Sequence, residues 1–162
     1  MKFFLKNNKG FTIVEVLIAS LIISTTMMAV MSATSKGIEL SSRALRQVQA
    51  SMLMEEGVEA VRSIRDNDWV LIQSLSLNTN YYLSFDTNSN TWSLSATPTQ
   101  LIDEMFTRIV VFSSVSRDSN DDIASSGVID SGSRGVNVSV SWLSFGNTVS
   151  KEINFYITNI FS

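Results

Sequence analysis

The sequence predicts an α+β protein: one long N-terminal helix, then an antiparallel sheet of four or five strands packed on it. Three observations predict it. Residues 11–31 form an almost uncharged apolar run, and helical spacing continues without a Pro to about Arg65. After Arg65-Asp66-Asn67-Asp68 the apolar period drops to two. Polar segments rich in Ser, Asn, Asp and Gly then separate several alternating stretches.

Residues 1–10 carry Lys2, Lys6 and Lys9 and no acid. The 21 residues from Phe11 to Met31 contain a single charge, Glu15. At about 1.5 Å per residue this run spans roughly 30 Å, the thickness of a bilayer's hydrocarbon core. The lysines hold the N-terminal end in the cytoplasm and place the rest of the chain outside. A carboxylate within such a run costs roughly 2.5–3.5 kcal/mol on insertion scales, which makes Glu15 a functional candidate. A plain signal anchor or a secretory signal peptide is the competing reading. A secretory signal is cut after its apolar stretch at small residues, for which Ala33 is a weak candidate, and Glu15 fits badly inside one. Ser20, Ser24, Thr25 and Thr26 are expected to bond back to the preceding turn.

Beyond the run the helix continues as an amphipathic extension over 32–66, interrupted only by Gly37 and Gly57. Ile38, Leu45, Val48 and Met52 share one face. A wider face follows with Leu53, Gly57, Ala60 and Ile64, flanked by Met54, Val58 and Val61, while Glu55, Glu59 and Arg62 lie opposite. The first stripe is expected to meet other chains and the second to receive the sheet. The simpler alternative packs both on one domain.

Residues 67–162 are the expected globular head. Trp69 to Leu77 reads as a short helix or loop packed by Trp69 and Leu71. Tyr81–Phe85 and Thr91–Ser95 flank a polar link and predict a hairpin. Phe106–Phe112, Val136–Trp142 and Lys151–Ile160 are further strands, the last with Ile153, Phe155 and Ile157 on one face. Residues 117–135 read as an exposed loop.

Enzymatic chemistry has little to work with. The chain has no Cys and no His, which removes thiol nucleophiles, imidazole bases and the usual zinc ligands. No Ser therefore has a base, and no glycine run forms a phosphate cradle. Asp103 and Glu104 are neighbours that a strand would point to opposite faces. A net charge of −3 invites no nucleic acid. Asp118, Asn120 and Asp122 copy the first half of a calcium loop, but Ile123 stands where the turn Gly belongs and no Glu closes it. They are weak metal candidates beside the simpler reading of a solvated acidic loop. Asp66 and Asp68 beside Arg62 and Arg65 read as a helix-end charge cluster. No cofactor and no catalytic residue are expected.

Lys9-Gly10-Phe11-Thr12-Ile13-Val14-Glu15, with the apolar run behind it, resembles the class III signal of type IV prepilins and pseudopilins. The resemblance implies a leader, 1–10, removed between Gly10 and Phe11, with Phe11 then N-methylated. It implies a transmembrane and filament-core helix over 11–31, a single-pass precursor in the cytoplasmic membrane, and later an extracytoplasmic filament. The implied partners are other pilin or pseudopilin subunits, prepilin peptidase and an inner-membrane assembly platform. Glu15 would neutralise the N-terminal amine of a neighbouring subunit, or that of its own helix at i and i+4. The helix-then-meander order also resembles pilin heads, and the Arg108…Trp142 layout looks most like minor pilins. The chain departs from major pilins in lacking a Cys pair and any Gly or Pro within the apolar run. A minor pilin is the expected role. A minor pseudopilin of type II secretion or DNA uptake is an alternative. Another is a membrane-anchored adhesin-like domain using Tyr81, Tyr82, Trp92 and Trp142, although such aromatics more often fill a core.

Overall fold

A computed structural model describes residues 10–99 and 101–160. Lys2, Lys6 and Lys9 of the expected leader lie outside the described residues. The helix α1 runs Ile13–Asn67 and a short α2 runs Trp69–Ser74. The strands are β1 Asn80–Asp86, β2 Thr91–Ser95, β3 Phe106–Arg117, β4 Ile123–Ala124, β5 Val128–Ser144 and β6 Asn147–Thr158. Five strands lie in the antiparallel order β2-β1-β3-β5-β6, and the two-residue β4 pairs with β3. The expected α+β class and the helix-on-sheet arrangement are what the structure has. By contacts the chain divides into two units, Met1–Ala44 and Leu45–Ser162.

The first unit holds the start of α1, and every residue from Gly10 to Ile38 is exposed. Within the second unit, α1 lays its later face on the sheet. Val58, Ala60, Val61 and Ile64 meet Val110, Phe112, Val136, Val138 and Ile157 in one cluster. Ala50 joins Phe106, Val140 and Trp142 in another. Alternate residues of β3 and β5 supply these contacts, as the period of two requires. Gly57 sets the helix-to-sheet spacing: a Cβ there would stand 2.8 Å from Val138 Cγ1 and 3.0 Å from Arg108 Cδ. The first stripe behaves otherwise. Ile38, Leu45, Val48 and Met52 are all exposed.

Three local expectations need correction. Residues 117–135 are mostly strand: β3 extends to Arg117 and β5 begins at Val128, pairing Arg117 with Val128 and Ser116 with Ile129. The polar composition misled because this end of the sheet is exposed and lacks a buried apolar row. Arg117 holds the two strands together through Asp130, Nε to Oδ2 at 2.7 Å. In α2, Ile72 and not Leu71 joins Trp69 in the core, since Asp68 caps the helix and fixes its rotation by accepting from the Leu71 N–H at 3.1 Å. Asp103 and Glu104 are not strand neighbours. Both have left-handed φ, 49° and 55°, in the tight turn closed by the Ile102–Phe106 bridge.

Candidate functional site

The residues singled out at the N-terminus lie just before and within the first turn of α1. Gly10 and Phe11 precede the helix and are exposed. Thr12 caps it: the Thr12 carbonyl accepts from the N–H groups of Glu15 at 3.1 Å and Val16 at 3.2 Å. The Thr12 Oγ1 accepts from the Glu15 N–H at 3.3 Å. Thr12 is the functional position that sequence reasoning missed. Thr12-Ile13-Val14-Glu15 has the S/T-x-x-E spacing of a capping box, a signal that would have found it. The hydroxyl is a second acceptor for this first-turn amide, and the cap places Glu15 three residues into the positive end of the helix dipole.

Polar groups further along the run are handled differently. Ser20 donates to the Leu17 carbonyl at 2.9 Å, Ser24 to Ser20 at 2.7 Å, Thr25 to Leu21 at 3.0 Å and Thr26 to Ile22 at 2.9 Å. These are the back-bonds expected from the sequence. Each hydroxyl is satisfied within its own helix and so needs nothing from an apolar surrounding. Glu15 is the exception: its carboxylate is exposed and has no cationic partner among the described residues.

Around Glu15 stand thirteen exposed large apolar residues between Phe11 and Met31. At about 1.5–3 kcal/mol for each such side chain fully buried, roughly 20–40 kcal/mol is available to any apolar environment that takes up this surface. The helix is long and apolar enough to cross a membrane. Such a surface fits lipid or other apolar helices, and in either a lone carboxylate is costly unless a cation offsets it.

The other candidates lie in the second unit. Asp118 Oδ1 accepts from the N–H groups of Asn120 at 2.8 Å and Asp122 at 3.1 Å, folding the acidic segment on itself. Arg117 lies among these acids, donating to the Asp121 carbonyl at 2.8 Å. Among the described residues no three carboxylates converge on a point where a metal ion would bind. Asp130 accepts from Ser133 Oγ, Arg117 Nε and the Gly132 N–H, which together hold its carboxyl down at about 2. Arg65 pairs with Asp66 at 2.8 Å and Arg62 with Glu59 at 2.6 Å, so the helix-end charges neutralise locally.

Of the four aromatics weighed for an adhesive surface, Tyr81 and Trp142 are buried, and Trp92 is half-buried under Arg108 at 5.3 Å. Tyr82 is also half-buried. Arg108 itself is 6% exposed; it donates to the Leu53 carbonyl at 3.0 Å and pairs with Glu56 at 3.2 Å. Burial lowers its pKa from the ordinary value while Glu56 opposes that shift.

Residues 5–31 match the family model of the prokaryotic N-terminal methylation motif. No curated protein and no solved structure matches the chain. The matched stretch contains Gly10, Phe11, Thr12 and Glu15 and the whole apolar run, and it supports a prepilin-type signal of the type IV pilin-like kind.

Proposed function

We propose that this chain is a minor subunit of a type IV pilus-like filament. In this reading residues 1–10 are removed by prepilin peptidase between Gly10 and Phe11, and Phe11 is N-methylated. Residues 11–31 first anchor the precursor in the cytoplasmic membrane, with the head outside. They then leave the bilayer for the filament core, residues 32–66 extend the helix, and residues 67–162 form the outward head.

The observation that carries the reading is the methylation motif over 5–31 with Glu15, which has no cationic partner among the described residues, inside its apolar run. Removing the leader creates a cation, the amine of Phe11, about one helical turn from the carboxylate. Pairing the two offsets the cost that each bears alone in an apolar medium. A membrane anchor alone has no use for that carboxylate. Lateral packing of apolar helix surface supplies the binding free energy once the helix is out of lipid. Ile38, Leu45, Val48 and Met52 are exposed as well and offer further apolar surface for such packing.

Mass spectrometry of the N-terminal peptide tests the reading, in sheared surface filaments and in the cell envelope separately. A peptide starting at methylated Phe11 in the sheared fraction is the expected result. The same peptide confined to the envelope would move the assignment to a pseudopilin of secretion or DNA uptake. A peptide that retains Lys9 in every fraction, or one that starts after Met31, would refute it.

A further inference from the structure

The outer face of the sheet, opposite the face that packs on α1, carries short polar side chains in rows across the strands. One row is Ser113, Gly135 and Tyr156; the next is Val111, Asn137 and Asn154; a third is Ile109, Ser139 and Glu152. At Gly135, in the middle of the first row, the place of a side chain is taken by the Ser113 hydroxyl, with the Tyr156 ring beside it. A Cβ at that position would lie 2.4 Å from Ser113 Oγ and 3.7 Å from Tyr156 Cε1. Beside them lies a notch of about 280 Å³, lined by Tyr156, Asn137, Asn154, Val111, Ser113 and Gly135. Tyr156 is 59% exposed, unlike the core aromatics.

The amides in this notch are held in place. Asn137 Nδ2 donates to Asn154 Oδ1 at 2.8 Å and to Glu152 Oε2 at 3.2 Å. That arrangement leaves Asn137 Oδ1 as an acceptor and Asn154 Nδ2 as a donor, both without a partner among the described residues. A fixed acceptor and donor on adjacent strands suit a pair of vicinal hydroxyls, which donate and accept together. The phenol ring offers an apolar face to the C–H face of a pyranose. Glu152, one row away, adds a hydroxyl acceptor and repels acidic sugars.

We propose that this notch is a subsite for one neutral pyranose residue of a saccharide, with Tyr156 as its stacking platform and Asn137 and Asn154 as its hydroxyl readers. No residue of the notch lies in the N-terminal signal.

The test uses the full chain, isotope-labelled, in a detergent without sugar headgroups, titrated with maltotriose, chitotriose and trigalacturonate while amide resonances are followed. At least one neutral trisaccharide should shift the Gly135 backbone amide and the side-chain amides of Asn137 and Asn154, saturating in the millimolar range expected of an open site, about −4 kcal/mol at 1 mM. Trigalacturonate should bind at least about threefold more weakly, and Tyr156→Ala should weaken neutral binding at least about tenfold, or about 1.4 kcal/mol. Tyr156 is exposed, so an unchanged spectrum elsewhere establishes that the variant folds. Absence of shifts with both neutral sugars up to about 50 mM, a limit weaker than any useful affinity, would overturn the proposal. So would shifts that persist unchanged in Tyr156→Ala, because Tyr156 would then only shield a cross-strand glycine. Neither result bears on the filament reading, which the N-terminal peptide decides.

Discussion

Replacing Gly57 by Ala adds one methyl group to a close contact between α1 and the sheet. Two effects of opposite sign compete. Inside a helix Gly is about 1 kcal/mol worse than Ala, so the substitution gains that much from propensity. The new Cβ, however, would stand 2.8 Å from Val138 Cγ1 and 3.0 Å from Arg108 Cδ. Neither neighbour can move cheaply. Val138 is β-branched and fully buried, and Arg108 is fixed by the Leu53 carbonyl and Glu56. Overpacking of this kind costs about 1–3 kcal/mol, so the net is a loss of about 1 kcal/mol. Gly37→Ala is the internal control, because a Cβ at Gly37 meets nothing within 4 Å and should leave only the propensity gain of about 1 kcal/mol. The same chemical change should therefore act in opposite directions at the two glycines of one helix. Urea unfolding of the full chain in detergent reads the head through tryptophan fluorescence, and far-UV dichroism reads the helix. The expected outcome is a midpoint lowered for Gly57→Ala and helicity retained or raised for Gly37→Ala. A Gly57→Ala midpoint at or above that of the unchanged protein would refute the reasoning that this glycine exists for close approach.

Further expectations follow from the same geometry. Glu15→Val should insert into membranes at least as well as the native chain, by the roughly 2.5–3.5 kcal/mol that a carboxylate costs there, yet be lost from filaments; normal incorporation would remove Glu15 from the assembly step. Thr12→Ala removes the cap at a cost of about 1 kcal/mol, so hydrogen exchange at the Glu15 and Val16 amides should accelerate about fivefold in micelles, whereas unchanged rates would deny the cap its role. Asp130 has its carboxyl held at about 2 in the folded state, below its ordinary 3.8, so its contribution is complete above pH 3.8 and is lost as pH falls through about 2. In an acid titration of stability Asp130→Asn should lack that component, which solvent exposure limits to about 1 kcal/mol; an identical acid profile in both proteins would contradict it.

What was legible in the sequence and what was not divides along physical lines. The apolar run, the carboxylate within it and the two helical stripes are local patterns, and periodicity reads them directly. The alternation in β5 and β6 is equally local; of the β6 face expected from Ile153, Phe155 and Ile157, Ile157 is buried and Phe155 half-buried, while Ile153 is exposed on this edge strand. The strand content of residues 117–135 escaped because pairing there depends on a partner strand and on Arg117–Asp130, not on an apolar row. Arg108 escaped for a related reason. On its own strand it reads as a surface residue, and only the packing of α1 across β3 buries it against the Leu53 carbonyl and over the Trp92 ring. The polar notch beside Tyr156 depends on register between three strands, which spacing along one strand does not contain.

The two faces of α1 also explain why one helix serves two purposes. From Gly57 to Ile64 the helix carries small and β-branched residues, and each is buried against strands of its own chain. From Phe11 to Met52 the large apolar residues of the same helix remain exposed, and burial of this kind is worth tens of kcal/mol in sum. A soluble monomer would not keep such a surface, since water penalises it and aggregation would follow. Within the proposed reading the penalty is met in sequence: lipid covers residues 11–31 first, and neighbouring helices cover them afterwards. Glu15 makes the exchange directional, because lipid offers its carboxylate no cation whereas a processed N-terminus does. That asymmetry is what Glu15→Val removes, and it is why the substitution should improve the membrane-bound state while abolishing the assembled one.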